Sequence, residues 1–111
     1  AQMEPAVAHL QAALRLEPEM VSALNIIALI QATSAEDGIR NPKAALANAR
    51  KACALTEEKD PILLTTLALA YAADGQKEAS RQASEKALRI AKEMGEPDLV
   101  ARIEEMVQKI K

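Results

Sequence analysis

The sequence predicts an all-α fold, and three of its features carry that prediction. Apolar side chains recur every three to four residues along most of the chain, which is the period of an amphipathic helix. Glycine and proline lie at the boundaries of these stretches, where they begin or end helices. Half of the residues are hydrophobic, yet the chain holds no Phe or Trp and few β-branched runs, so strands are not expected.

The first helix is predicted over residues 3–17. Its apolar positions are Ala6, Leu10, Ala13, Leu14 and Leu16. Pro18 follows and ends the helix, because proline cannot continue one. His9 is the only histidine and has no partner at metal-ligand spacing, so we expect it to be solvated or locally hydrogen-bonded.

The second and third helices are predicted over residues 20–34 and 42–56 and form a hairpin. The second helix places Leu24, Ile27, Ala28 and Gln31 on one face, and the third repeats the spacing of the first with Ala45, Ala49, Ala52, Cys53 and Leu55. Asn41-Pro42 supplies a capping side chain and a residue whose fixed φ suits the first helical turn. The loop over residues 34–41 makes this hairpin connection about five residues longer than the next one.

The fourth and fifth helices, over residues 61–74 and 76–94, form the most regular hairpin. Asp60-Pro61 repeats the capping pattern, and Gly75 can adopt the left-handed conformation that ends a helix. The apolar and small residues are Leu64, Leu67, Ala68 and Tyr71, then Ser80, Ser84, Ala87, Leu88 and Ile90. We expect Leu67, Ala68, Tyr71 and Ala87 to be largely buried where the two helices cross.

The last helix is predicted over residues 97–110 and is amphipathic. Its apolar side carries Leu99, Val100, Ile103, Met106, Val107 and Ile110, and its wet side carries Arg102, Glu104, Glu105, Lys109 and Lys111. This pattern favours a solubilising helix that covers one end of the molecule. Two alternatives are a detachable helix that docks a partner and the first helix of a further repeat.

The hairpin pattern resembles the tetratricopeptide repeat, in which a large-x2-Leu-small-x2-Tyr helix and a following glycine precede a second, small-residue helix. The resemblance covers nearly all of the chain and is to bacterial arrays of this repeat, which are sometimes attached to membrane proteins. It implies a right-handed α-solenoid of antiparallel helix-turn-helix units. The implied division is a half repeat in 1–18, a repeat with a long inter-helix loop in 19–60, a complete repeat in 61–95 and a capping helix in 96–111.

The resemblance implies a non-catalytic scaffold that binds a protein or peptide. The sequence contains no Gly-rich phosphate loop, metal-ligand spacing or Ser-His-Asp set, so we predict no catalytic residue, metal site or cofactor. A net charge of −2 with scattered basic residues argues against nucleic acid as a partner. The uncharged stretch over residues 20–35 is too short and too polar to insert into a membrane. The single cysteine fits a reducing compartment such as the cytoplasm.

A binding surface is predicted on the first helix of each repeat, over residues 20–34 and 61–74, and we call these two the first-type helices. Besides the face that packs in the core, each has a second face that would line the concave side of a solenoid. The eight residues of this binding surface, here called the predicted strip, are Ser22, Asn25, Leu29, Ala32, Ile62, Thr65, Leu69 and Ala72. They are mostly small and apolar, which suits an extended peptide or a partner helix. None is a Lys or Arg, so a cationic clamp for a carboxylate is not expected. Alternatively, these residues close into a core, or the unpaired face of the first helix forms a homodimer.

Overall fold

A computed structural model describes residues 3–110, and in that part of the chain it contains six helices and no strand. The helices are α1 (Met3–Leu16), α2 (Val21–Thr33), α3 (Pro42–Leu55), α4 (Pro61–Ala73), α5 (Lys77–Met94) and α6 (Pro97–Gln108). Each helix begins and ends within two residues of its predicted bounds. The predicted all-α fold is therefore confirmed. None of the described helices is both long enough and apolar enough to cross a bilayer.

Local sequence sets several helix boundaries. The Asn41 side chain accepts a hydrogen bond from the backbone N–H of Ala44 at 3.1 Å, and the Asp60 carboxylate accepts one from Ile62 at 2.9 Å. Proline follows both capping residues in the first helical turn. Gly75 follows α4 with φ +79°, where a side chain would strain the backbone. These features define where α3 and α4 begin and where α4 ends.

Helix α4 is the centre of the molecule. It contacts α2, α3, α5 and α6, whereas α1 contacts α2. Contacts of α2 with α4 and of α4 with α6 place these three helices side by side, and we call them the α2–α4–α6 row. Helices α3 and α5 lie against α2 and α4, respectively, as their hairpin partners. The row is the part of the fold that positions the candidate site.

The core between the helices is built from small residues. Ala28, Ala45, Ala68 and Ala87 are each 0% exposed. The Ser80 hydroxyl donates a hydrogen bond to the Ala68 carbonyl at 2.8 Å, which marks a close approach of α5 to α4. Leu67 is also buried, as predicted. Alanine and serine at these crossings let the backbones approach, so little aromatic volume is needed.

Tyr71 is partly buried, and one edge of its side chain remains accessible. Its ring packs against the core, but its hydroxyl accepts a hydrogen bond from Arg50 at 3.2 Å. The guanidinium carbon of Arg50 lies 5.3 Å from the ring centroid. A phenol that pairs with an exposed arginine has to reach solvent, which explains the partial exposure.

The long loop between α2 and α3 packs against the rest of the molecule. Ile39 is 6% exposed and so anchors the loop in the protein interior. The backbone N–H of Asn41 donates to the Gln31 carbonyl at 2.9 Å, and the Ser34 hydroxyl accepts from the N–H of Glu36 at 3.1 Å. The five extra residues are therefore accommodated without opening the hairpin.

Candidate interaction site

A pocket of about 550 Å³ lies where the C-terminal ends of the three helices in the row meet. Its walls come from Leu29, Ala32 and Thr33 of α2, Leu69, Ala72 and Ala73 of α4, and Met106, Lys109 and Ile110 at the end of α6. We call it the α2–α4–α6 pocket. Small side chains on α2 and α4 create the space, because alanine fills little of the gap between neighbouring helices.

The pocket contains half of the predicted strip. Leu29, Ala32, Leu69 and Ala72 lie together in its wall. The exposed fraction of the α4 residues rises along the helix, from 0% at Thr65 to 9% at Leu69 and to a half-exposed Ala72. On α4 the strip is therefore closed at Thr65 and opens toward Ala72.

The other half of the predicted strip is not gathered into this pocket. Thr65 is fully buried, and its hydroxyl donates to the carbonyl of Pro61 within α4 at 2.8 Å. Ile62 lines a separate pocket of about 360 Å³ beside Met94 and Leu99. Ser22 is exposed, and the Asn25 side-chain oxygen is buried without a hydrogen-bond partner among the described residues. A ligand in the α2–α4–α6 pocket would not use these four side chains in this conformation.

Helix α6 supplies wall residues that the sequence prediction missed. Met106 and Ile110 belong to the apolar set that predicted α6, but that pattern did not indicate which surface the helix covers. Lys109 is exposed, in agreement with its predicted place on the wet side of α6, and it also lines the pocket without an ion pair to any described residue. The structure therefore adds a cation to a surface that the first-type helices leave uncharged.

A second pocket of about 440 Å³ lies on the other side of the α6 terminus, against α5. Leu88, Val107 and Ile110 contribute apolar walls, and Ile110 borders both pockets. Ser84 also lines it, and its hydroxyl is buried without a partner in the described part of the chain. The last turn of α6 thus lies between two spaces, while Ile103, at 0% exposed, holds the middle of the helix in the core.

Among the described residues, the wall of the α2–α4–α6 pocket carries no thiol, imidazole or carboxylate group. Cys53 is buried in α3, where burial and then the negative charges of Glu58 and Asp60 raise the pKa of its thiol to about 11. A thiol in that state is protonated at neutral pH and is a poor nucleophile. No group of three His, Cys, Asp or Glu side chains with metal-binding geometry occurs among the side chains that the structure describes.

Comparison of the chain with protein-family models, with curated proteins and with solved structures gave no match. The resemblance to the tetratricopeptide repeat therefore rests on the motif residues of the sequence. The site has to be interpreted from its own geometry.

Proposed function

We propose that the chain is a non-catalytic protein-interaction module and that the α2–α4–α6 pocket binds an extended peptide or a partner helix. One observation carries this proposal. Leu29, Ala32, Leu69 and Ala72, which share the second face of the first-type helices, converge on one open pocket of about 550 Å³. That volume lies within the range of about 300–1,000 Å³ in which proteins bind ligands.

The wall chemistry indicates what such a ligand would present. Leucine, alanine, methionine and isoleucine make an apolar floor, which gains free energy by removing aliphatic side chains from water. Lys109 places an ammonium group among these residues, where it could pair with an acidic group of the ligand. The expected ligand is therefore an aliphatic segment with a neighbouring acidic residue.

The proposal includes a repeat architecture of the tetratricopeptide type, with α6 as the cap of a right-handed solenoid. The α2–α4–α6 row and the pairing of α3 and α5 with its members support this arrangement. Glu104 supports the capping role, because it occupies the α6 position that corresponds to Ala68 of α4 and is exposed. A charged side chain at that position would keep a further helix from packing against α6 as closely as α5 packs against α4.

The pocket can be tested with peptides selected from a display library on the wild-type chain. Their affinity is then measured for Leu69→Lys, which places a charge in the pocket wall, and for the control Leu55→Lys. Leu55 is 38% exposed at the end of α3 and does not line the pocket. The ammonium of the Leu69 variant can reach water through the open side of the pocket, so the fold should survive. We expect at least a tenfold loss of affinity for Leu69→Lys and no change for Leu55→Lys.

Two outcomes would contradict the proposal. If circular dichroism shows that Leu69→Lys unfolds while Leu55→Lys remains helical, Leu69 belongs to a closed core and no ligand enters there. If Leu69→Lys folds and binds the selected peptides as tightly as wild type, the peptides use another surface.

Self-association is a second candidate function, favoured by apolar side chains exposed on α1 and α2. Leu16 is 86% exposed and Ile26 is 46% exposed. Sedimentation equilibrium at micromolar concentration distinguishes the two functions. A stable dimer that Leu16→Lys dissociates would favour self-association, and a monomer would favour the peptide-binding module.

A further inference from the structure

The second pocket, here called the α5–α6 pocket, lies between three helices that pack on one another. Helices α4, α5 and α6 are all in mutual contact, and the pocket has a volume of about 440 Å³. Its α5 wall has the spacing of one helix face, and its α6 wall holds Val107 and Ile110, one turn apart. The α5 wall residues are Lys77, Ser80, Arg81, Ser84, Glu85 and Leu88. The pocket is therefore one continuous concave surface.

Helix α6 carries a small residue where α4 carries its tyrosine. The two helices align at the proline that begins each of them. This alignment matches Val107 with Tyr71. It also matches Ile103 with Leu67, and both of these side chains are buried, which supports the register. Because valine is much smaller than tyrosine, the pair α5 and α6 lacks a ring that the pair α3 and α4 contains.

The contact between Arg50 and Tyr71 shows where the missing ring would lie. Arg50 of α3 donates to the Tyr71 hydroxyl at 3.2 Å, and its guanidinium carbon is 5.3 Å from the ring centroid. Helices α3 and α5 align at their buried small residues, which matches Arg50 with Glu85. Glu85 and Val107 both line the α5–α6 pocket. The pocket is thus the space that the aromatic ring fills between α3 and α4.

The matching place beside α4 stays accessible although a further helix follows. Helix α5 packs directly on α4, yet Tyr71 is partly exposed and its hydroxyl meets Arg50 of α3. A helix that packed on α6 as α5 packs on α4 would therefore leave the α5–α6 pocket open to a small molecule.

The pocket wall holds a buried hydroxyl group that helix packing does not explain. Ser84 is 5% exposed, and its hydroxyl has no hydrogen-bond partner among the described residues. The Ser80 hydroxyl, one turn earlier, donates to the Ala68 carbonyl at 2.8 Å. Ala49 takes the position of Ser84 in α3 and is 1% exposed, so a methyl group is enough for packing there. An unpaired buried hydroxyl is unfavourable, and a ligand oxygen would supply its missing acceptor.

The charged residues of the wall indicate what else the ligand would carry. Arg81 pairs with Glu85 at 2.6 Å and also with Glu78. Lys77 makes no ion pair with any residue that the structure describes. A carboxylate on the ligand would be a partner for this ammonium group. Lys77 and Ser84 are about two turns, or roughly 10 Å, apart along α5, so the two polar groups of the ligand lie at opposite ends.

We propose that the α5–α6 pocket binds a small hydroxylated aromatic carboxylic acid. The ring of this ligand takes the place that the Tyr71 ring has between α3 and α4, against Leu88 and Val107. Its phenolic oxygen accepts a hydrogen bond from the Ser84 hydroxyl, and its carboxylate pairs with Lys77. This inference does not depend on the function proposed for the α2–α4–α6 pocket, because neither Ser84 nor Val107 lines that pocket.

Isothermal titration calorimetry with 6-hydroxy-2-naphthoate tests the site on the whole chain. Val107→Tyr introduces the ring that α4 carries at the matching position, so it should fold and fill the pocket. Gln108→Tyr is the matched control, because it adds the same side chain at an exposed position of α6 outside the pocket wall. We expect binding to the wild type, at least about tenfold weaker binding to Val107→Tyr and unchanged binding to Gln108→Tyr. Circular dichroism checks that each variant is helical.

Ser84→Ala tests the hydrogen bond to the ligand. It should fold, because alanine takes the matching position in α3. We expect it to weaken binding of 6-hydroxy-2-naphthoate at least about threefold and to leave binding of 2-naphthoate, which lacks the hydroxyl, unchanged. Lys77→Gln should weaken binding of 6-hydroxy-2-naphthoate and leave binding of its neutral carboxamide unchanged.

Several results would overturn the proposal. The first is no binding of 6-hydroxy-2-naphthoate to the wild type at millimolar concentration. Equal binding to the wild type and to a folded Val107→Tyr would place the ligand elsewhere. If Val107→Tyr does not fold, the Ser84→Ala comparison decides, and equal losses for the two naphthoates would exclude the hydroxyl contact. Tighter binding of decanoate, an aliphatic acid without a ring, would exclude an aromatic ligand.

Discussion

Replacing Ile103 by alanine tests how α6 is held over the candidate site. Ile103 is 0% exposed and is the buried residue of α6, while Leu99, Val100 and Val107 pack against the core only in part. The substitution removes three buried methyl or methylene groups, and at about 0.8 kcal/mol for each group the lost free energy of burial is about 2.4 kcal/mol. A cavity adds to that loss, so we expect the free energy of unfolding to fall by about 3–4 kcal/mol, within the usual range of about 2–5 kcal/mol.

Urea denaturation followed by circular dichroism measures this loss, and amide hydrogen exchange shows where it occurs. Helix α6 contacts α4 and α5, so exchange should accelerate first in α6. Ile26→Ala is the matched control, because Ile26 is 46% exposed in α2 and already lies partly in water. Its cost should stay below about 1.5 kcal/mol. Equal costs for the two variants, or a cost below about 0.5 kcal/mol for Ile103→Ala, would refute the reasoning.

Three further predictions concern stability and reactivity. Glu57 has φ +56°, so Glu57→Gly should stabilise the fold by up to about 1 kcal/mol in urea denaturation; destabilisation would show that this backbone is unstrained. Asp60→Ala removes the acceptor of the Ile62 N–H and should cost about 1 kcal/mol in the same assay; no cost would contradict the cap. The pKa of the Cys53 thiol is raised to about 11, so the thiol ionises more readily in the unfolded chain. The free energy of unfolding from urea denaturation should therefore fall between about pH 9 and 11. Cys53→Ala should lose that dependence.

The helices could be predicted from sequence because their signals are local. A capping side chain followed by proline begins α3 and α4, and both caps make the expected hydrogen bonds. Gly75 takes the positive φ that ends α4. The spacing of Leu64, Leu67 and Ala68 correctly predicted that these residues are buried, since a helical period needs no knowledge of the partner, but it did not show that α4 is buried on its other sides as well.

The site was harder to predict because it depends on how distant elements pack. Periodicity places Thr65 and Leu69 on one face of α4, but it cannot show that Thr65 is fully buried and already hydrogen-bonded to Pro61. The amphipathic pattern of α6 correctly places Lys109 on the exposed side, but it does not specify that the last turn of this helix borders the ends of α2 and α4. The pairing of the Tyr71 hydroxyl with Arg50 could not be predicted either, because it depends on how α3 packs against α4.

Nuclear magnetic resonance of the ¹⁵N-labelled chain, titrated with a display-selected peptide, tests the proposed binding site most directly. The backbone amides that shift should cluster around the α2–α4–α6 pocket, at Leu29, Leu69, Ala72 and Met106. Leu55, outside the pocket at the end of α3, should not shift. Shifts centred on α3, or spread evenly over all six helices, would contradict the assignment of this pocket as the binding site.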